Sequence, residues 1–159
     1  MTVSVEAFFG RGSQKIVGET LQETLYDLSA LARIVKQAHW NVIGPAFRDV
    51  HLRLDDLYVD VELEIDTVAE RMAAIGMPPS GQCSETAASA KLQQLPLGFL
   101  KDNDVIELLS DRIGVVSNAI FARRRVAEEF DTMTAELYRA LLRKLDRHLW
   151  RLSSQPSYK

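Results

Sequence analysis

Apolar residues recur at spacings of three and four along most of the chain. The first such series, from about residue 19 to residue 42, consists of Leu21, Leu25, Leu28, Ala32 and Val35. A second series, from about residue 48 to residue 75, consists of Val50, Leu54, Leu57, Val61, Ile65, Val68, Met72 and Ile75. Because this spacing places the apolar side chains on one face of a helix, both stretches are predicted to be long amphipathic helices.

Glycine and proline mark the boundaries between the predicted elements, at residues 10–12, 44–45, 76–81 and 96–98. Beyond the second helix, the pattern predicts a short helix at about 85–92 and a third long helix that ends near residue 130, with N-caps offered by residues 102–104. A fourth helix is predicted from Asp131 or Thr132 to about Leu152. Since no stretch alternates in the manner of a strand, this order predicts an all-α fold. Its architecture would be an antiparallel four-helix bundle, with the short helix in the long linker between helices two and three.

The length of the chain is that of one domain, because 159 residues can bury one core but not two comfortable ones. We therefore predict a single domain over residues 1–159, with short flexible termini at 1–15 and 153–159. No window approaches the roughly 20 apolar residues of a membrane span, and the N-terminus lacks the pattern of a signal peptide. A cytoplasmic protein without a membrane partner is predicted. Cys83, the only cysteine, cannot form an intramolecular disulfide and is given no role.

The second predicted helix carries an unusual run of acidic residues. Between Leu54 and Glu70 it has seven carboxylates and no lysine or arginine: Asp55, Asp56, Asp60, Glu62, Glu64, Asp66 and Glu70. Like charges one turn apart destabilise a helix, so such a run indicates either a solvated face or a bound cation. The solvated face is ordinarily the commoner explanation. His39 and His51, on either side of the first loop, favour the cation, because imidazole with carboxylate suits iron, manganese or zinc.

The spacing of these residues bears on how a metal could be held. His51 and Asp66 lie 15 residues apart, which is roughly 22 Å along a helix, so one subunit cannot bring both to one metal. A two-fold axis that packs the second helix antiparallel against its copy would bring the two groups together. A di-iron site inside one bundle is less favoured, because it usually needs Glu-x-x-His pairs. The residues three before the histidines are instead Lys36, Arg48 and Leu145.

Two stretches of the chain resemble the ferroxidase signature of the Dps family, the mini-ferritins of the ferritin-like superfamily. The first runs from His39-Trp40-Asn41 through Gly44-Pro45-Ala46-Phe47, and the second is Asp66-Thr67-Val68-Ala69-Glu70-Arg71. The polar residues of the signature, His39, His51, Asp55, Asp66 and Glu70, are separated by 12, 4, 11 and 4 residues. The resemblance extends over the whole chain in helix order. It implies that Asp66 and Glu70 of one subunit and His39 of its mate bind the tighter iron, whereas His51 and Asp55 shape a second, weaker site.

The resemblance also implies an activity and an assembly. Family members oxidise Fe²⁺, typically with hydrogen peroxide in preference to dioxygen, and mineralise Fe³⁺ in a hollow dodecamer, which protects the cell from oxidative damage. Carboxylates stabilise the ferric ion, and a sparse ligand set leaves positions open for the oxidant. Trp40 is implied to intercept stray oxidising equivalents, with interfacial packing as an equal alternative. An iron-entry pore is implied near Asp131 and Glu136, although Asp131 also fits a helix N-cap.

Two other functions are weighed against iron oxidation. One is a DNA-compacting, nucleoid-associated structural protein in which iron is secondary. The first 15 residues offer only Arg11 and Lys15 as cations, and the tail after Trp150 offers only Arg151 and Lys159. DNA binding is therefore predicted to be weak, although twelve subunits would add avidity. The other is a helical stress or adhesion module that has lost the iron site, and the intact five-residue set disfavours it. For His148, a packed histidine is predicted rather than a metal ligand.

Overall fold

The computed structural model describes residues 10–154, and within them the chain is almost entirely helical. Five helices and two very short strands follow in the order α1 (Arg11–Asn41), β1 (Val42–Ile43), α2 (Phe47–Ala74), α3 (Cys83–Ser89), β2 (Leu100–Lys101), α4 (Asp102–Phe130) and α5 (Thr132–Ser153). The long helices form two hairpins, α1 with α2 and α4 with α5, and α1 packs on α4. The predicted four-helix bundle with a short helix in the long linker is confirmed.

The core lies between the four long helices and is built from the predicted apolar stripes. In α2, the stripe residues that are almost completely buried are Val50, Leu54, Leu57, Val61, Val68 and Met72, and Ile75 follows directly after the helix. Ile65 is only partly buried. The stripe of α1 is buried along its whole length. None of the helices in the described part of the chain combines the length and the hydropathy that a bilayer span requires.

Helix α1 begins at Arg11, eight residues before the predicted start at about residue 19. It continues through Gly18, where an added Cβ would lie 2.8 Å from Cγ of Met77. Glycine therefore allows the chain that follows α2 to pass close to α1, rather than ending the helix. Of the predicted flexible termini, residues 1–9 and 155–159 lie outside the described residues, residues 11–15 belong to α1, and Ser153 ends α5.

The two strands tie the loop between α1 and α2 to the start of α4. They pair in parallel, Val42 with Leu100 and Ile43 with Lys101, and the sequence pattern did not predict them.

The predicted N-cap of α4 was wrong, because the helix starts one residue earlier. Lys101 occupies the cap position without a side-chain hydrogen bond, and Asp102 is already helical. At the other hairpin, Asp131 caps α5 as one of the two predicted alternatives had it, and its side chain accepts from the Met133 amide.

Candidate metal centre

The histidines at the α1–α2 turn hold each other in place. Nδ1 of His39 lies 3.1 Å from the carbonyl oxygen of His51, and Nδ1 of His51 lies 3.0 Å from the carbonyl oxygen of His39. Because a carbonyl oxygen only accepts, each Nδ1 carries its proton and donates, which leaves Nε2 of both rings with a free lone pair. The rings stack with their centroids 3.6 Å apart, and the Phe47 ring packs 5.0 Å from that of His51. Both imidazoles are therefore fixed in orientation, and each has a nitrogen that can bind a metal.

Asp55, one turn further along α2, joins this pair. Ligand atoms of His39, His51 and Asp55 lie within 4.8 Å of one another, and among residues 10–154 no other group of His, Cys, Asp or Glu meets this condition. One oxygen of Asp55 accepts a hydrogen bond from Nζ of Lys36 at 2.8 Å. Lys36 precedes His39 by three residues, so helical spacing places it on the histidine face of α1. The Lys36 ammonium group is therefore bound to the same Asp55 carboxylate that a metal cation would use as a ligand.

The protonation states of this group suit metal binding. Burial lowers the pKa of the His39 imidazole below its ordinary value of 6.5, although the hydrogen bond to His51 and the nearby Asp55 charge oppose the change. The hydrogen bond from Lys36 lowers the pKa of the Asp55 carboxyl below 3.8, against partial burial. At neutral pH the site therefore offers a neutral imidazole and an ionised carboxylate, which are the forms that bind metals. Imidazole with carboxylate is a donor set that fits iron.

Most of the acidic run on α2 is neutralised by basic residues of the neighbouring helices. Besides the Lys36–Asp55 pair, the ion pairs are Glu62 with Arg33 of α1, and Asp60 with Arg147 and Glu64 with Lys144 of α5. His148 of α5 is buried and lies 2.7 Å from Asp60, so it is a packed histidine, as predicted. Four of the seven carboxylates thus belong to ion pairs within the bundle. For Asp60, Glu62 and Glu64, these pairs explain the acidic run without a bound metal, whereas Asp55 also belongs to the group with His39 and His51.

Asp66 and Glu70 differ from these paired acids. Both are exposed on the outer face of α2, and no hydrogen bond or ion pair links either side chain to the described part of the chain. They lie one turn apart, toward the end of α2 that is remote from His51. The structure therefore does not bring them to His39, His51 and Asp55 within one subunit. Trp40, next to His39, is 67% exposed.

The two residues predicted for an iron-entry pore have other contacts in the subunit. Asp131 is buried and accepts hydrogen bonds from Arg71 at 2.6 Å and from Thr134. Glu136 is exposed but lies 3.3 Å from a guanidinium nitrogen of Arg139. Asp131 thus serves as the N-cap that the sequence offered as its alternative. The pore remains a prediction, and Glu136 is the member of the pair that stays at the surface.

The fold agrees with that of known proteins. The family model for the ferritin-like domain matches residues 18–157. The chain therefore belongs to the ferritin-like proteins.

Comparison with individual proteins shows to which family of ferritin-like proteins the chain belongs. The DNA protection during starvation protein of Agrobacterium fabrum is 35% identical over 135 residues, which cover 84% of this chain and 83% of that protein. The structure of Dps92 from Deinococcus radiodurans superposes with a TM-score of 0.87 at 31% identity, covering 90% of this chain and 87% of that one. A structure of Dps from Microbacterium arborescens in the high iron form gives a TM-score of 0.85 at 27% identity, with 89% and 93% covered. Within the ferritin-like proteins, the chain is a member of the Dps family, which is a family of iron storage and protection.

Proposed function

We propose that this protein is a ferroxidase and iron store that oxidises Fe²⁺ at sites shared between two subunits. The observation that carries the proposal is the separation of two incomplete ligand groups on α2. His39, His51 and Asp55 form one group, and Asp66 and Glu70, which have no partner among the described residues, form the other. His51 and Asp66 are roughly 22 Å apart along the helix. Each group alone is a poor site, and the two together have the imidazole and carboxylate donors that iron uses.

The arrangement of residues on α2 supports a two-fold pairing. The midpoint between His51 and Glu70 falls between residues 60 and 61, and so does the midpoint between Asp55 and Asp66. An antiparallel copy of α2 centred there would therefore bring both pairs together at once. Val59 and Leu63, next to this centre, are each 55% exposed. A second copy would cover these apolar side chains, whereas an isolated subunit leaves them in water.

In such a dimer, the tighter iron site would consist of Asp66, Glu70 and Nε2 of the partner subunit's His39. The partner subunit's His51 and Asp55 would shape the weaker site, where iron must compete with the Lys36 ammonium for Asp55. Iron is the substrate at both sites. Two Fe²⁺ ions give one electron each, and hydrogen peroxide takes both electrons with two protons to become two water molecules. Peroxide is proposed as the preferred oxidant, with dioxygen as the alternative, and Trp40 as a residue that intercepts stray oxidising equivalents.

The assembly is proposed to be a hollow dodecamer that stores the ferric mineral and so protects the cell from oxidative damage. The Dps relatives support it, and the M. arborescens structure in the high iron form supports iron as the cargo. The alternative, a DNA-compacting protein, has no specific observation in its favour. Of the few cations on which it would depend, Arg11, Lys15 and Arg151 lie near the ends of the described part of the chain, and Lys159 lies outside it. We also propose that Fe²⁺ enters the cavity through a pore lined by Glu136.

Mixing two inactive variants tests the shared site. His39→Ala and Glu70→Ala should each oxidise Fe²⁺ slowly, because every site lacks one ligand. In a mixed dimer, one site carries both defects and the other receives native His39 from one chain and native Glu70 from the other. Random pairing of equal amounts makes about half of the dimers mixed, so co-refolded protein should recover about a quarter of the wild-type rate.

The measurement is ferric absorbance after anaerobic Fe²⁺ loading and addition of peroxide. Mixtures of each variant with itself are the control. Verified mixed assemblies that recover no activity, with both parents folded, would show that the metal is bound within one chain. Size-exclusion chromatography with light scattering on the same samples reports the dodecamer.

A further inference from the structure

The turn that separates His39 from His51 is held by a residue from a distant part of the chain. Asp102, the first residue of α4, is 5% exposed. Its Oδ2 accepts a hydrogen bond of 2.7 Å from the amide of Ala46, and its Oδ1 accepts one of 2.9 Å from the amide of Asn103. A single buried carboxylate thus binds the α1–α2 turn and the first turn of α4 at the same time.

The turn fits this carboxylate closely. Gly44 has a φ of +134°, and an added Cβ would lie 2.5 Å from Oδ2 of Asp102. Any other residue would therefore be strained in its backbone and would also collide with the carboxylate. The adjacent pairing of Val42 with Leu100 and of Ile43 with Lys101 fixes the same two segments. The position of the turn is therefore set from outside the α1–α2 hairpin.

The position of this turn determines the relative orientation of the two histidine rings. The reciprocal bonds of His39 and His51 each join a ring of one helix to a backbone carbonyl of the other, at 3.1 and 3.0 Å. They persist only while the end of α1 and the start of α2 keep their present offset. A shift of the turn that changes this offset would lengthen both bonds and turn the two Nε2 lone pairs away from the positions that the two irons would occupy.

We propose that Asp102 is a positioning residue for the metal site: through the Gly44–Ala46 turn, it fixes the orientation in which His39 and His51 present Nε2. Asp102 touches no metal and supplies no ligand. This inference rests on the proposed function, since it concerns the histidines of the same site. Groups that orient metal ligands typically contribute 10- to 100-fold to metal affinity.

The test is Asp102→Asn in the assembled full-length protein, with Co²⁺ alone as the probe. An asparagine has one side-chain oxygen, so one of the two amides must face an NH₂ group instead of an acceptor. Co²⁺ affinity is expected to fall at least about tenfold, and the d–d absorption of the bound ion should change in shape. Asp104→Asn is the matched control, because Asp104 is an exposed acid two residues along the same helix turn. It should bind Co²⁺ as the wild type does.

A general loss of stability must be separated from positioning. Tyr138 is buried, and its hydroxyl donates to Thr20 at 3.0 Å in a part of the bundle remote from the histidines. Tyr138→Phe should lower the melting temperature and leave Co²⁺ affinity and spectrum unchanged. If Tyr138→Phe weakens Co²⁺ binding as much as Asp102→Asn does at an equal drop in melting temperature, the positioning role is overturned.

A second variant approaches the same contact from the other side. Gly44→Ala should also weaken Co²⁺ binding, and the double variant with Asp102→Asn should lose no more than the more severe single variant, because both changes act through one turn. Losses that multiply would overturn the inference.

His39→Ala distinguishes the two levels of the argument. If wild type and His39→Ala bind Co²⁺ equally, the proposed metal site itself is wrong. If His39→Ala loses the Co²⁺ signal while Asp102→Asn keeps its full affinity and spectrum, the site stands and the role of Asp102 is wrong.

Discussion

The two ends of α2 are prepared for a cation in opposite ways. At the start of the helix, His51 and Asp55 are partly buried, bonded to His39 and Lys36 of α1, and fixed in orientation. Toward the other end, Asp66 and Glu70 are exposed on the outer face. One end is organised by the folding of its own subunit, and the other lacks partners within the described chain.

This difference indicates where the free energy of metal binding originates. At the histidine end, the ring orientations are set on folding, so a metal loses little to ordering of its ligands. At the carboxylate end, two like charges one turn apart repel weakly in water, by a few tenths of a kcal/mol. In the proposed dimer, a cation bound between this end and a partner subunit would relieve that repulsion. Assembly and iron binding are therefore expected to support each other.

The largest effect is expected from Glu70→Gln. Removing one charge at the carboxylate end should lower the rate of Fe²⁺ oxidation by more than about 100-fold, since a direct ligand matters at least as much as the groups that orient one. The melting temperature should stay the same or rise slightly, because a like-charge pair with Asp66 is lost. Stopped-flow ferric absorbance and thermal circular dichroism measure the two quantities.

Glu107→Gln provides the matched control for that change, because it removes an exposed acid of α4 that lies away from the site. It should alter neither quantity. A Glu70→Gln protein that oxidises iron at more than a tenth of the wild-type rate would contradict the assignment of this end.

At the histidine end, function and stability should fall together. His51→Ala removes the Nδ1–H bond to the His39 carbonyl, and it also removes the proposed ligand of the weaker site. Oxidation should slow about tenfold, and the free energy of unfolding should fall by about 1 kcal/mol, the usual contribution of one such hydrogen bond. Urea titration of the apo-protein measures the second effect. A loss of activity with unchanged stability would mean that the two ends are alike, and that the reciprocal bonds do not organise this one.

Lys36→Met should produce a smaller change in the opposite direction. Without the ammonium group at Asp55, iron no longer competes with a cation of the protein itself. The affinity of the weaker site for iron is expected to rise only about threefold, because half-exposed ion pairs usually contribute little free energy. Isothermal titration with Fe²⁺ under argon would resolve it as a change in the second binding event. Weaker binding in the variant would indicate that Lys36 orients Asp55 instead of competing for it.

The smallest effect concerns pH. Because burial lowers the pKa of His39 below 6.5, its imidazole remains neutral and able to bind a metal as the pH falls toward that value. Protons compete only below it. Co²⁺ affinity should therefore change less than about 1.5-fold between pH 8 and pH 7, and should decline below pH 6.5. A tenfold decrease between pH 8 and pH 7 would mean that the imidazole titrates near or above its ordinary value.

The sequence predicted the local features of this molecule well. Apolar periodicity located α2 to within one residue at each end. The motif spacing identified His39, His51 and Asp55, which the fold brings together at the first turn. The acidic run was harder to interpret. Its neutralising partners come from α1 and α5, for example Arg33 and Lys144, and a pattern within one helix carries no information about which bases its neighbours present.

Contacts between distant segments could not be predicted from the apolar periodicity of single segments. Asp102 was read as a helix cap, because an acid at the start of a helix commonly serves as one. Its carboxylate instead reaches the Ala46 amide, 56 residues earlier in the chain. Two-residue strands such as β1 and β2 are too short to show the alternation of apolar and polar residues that identifies a strand. The early start of α1 was missed because the glycines at residues 10–12 mark a predicted boundary and the apolar series begins only at Leu21. Gly18 lies within the helix, where it allows the close passage of Met77.

The link between Ala46 and Asp102 also has a consequence for the order of events during synthesis. The α1–α2 hairpin is made first on the ribosome, but the anchor of its turn is 56 residues further along. The histidine pair therefore reaches its final geometry only after the start of α4 has left the exit tunnel and closed this long loop. A truncated chain that ends within the linker would carry both histidines without the anchor, so an incomplete nascent chain is expected to hold iron poorly.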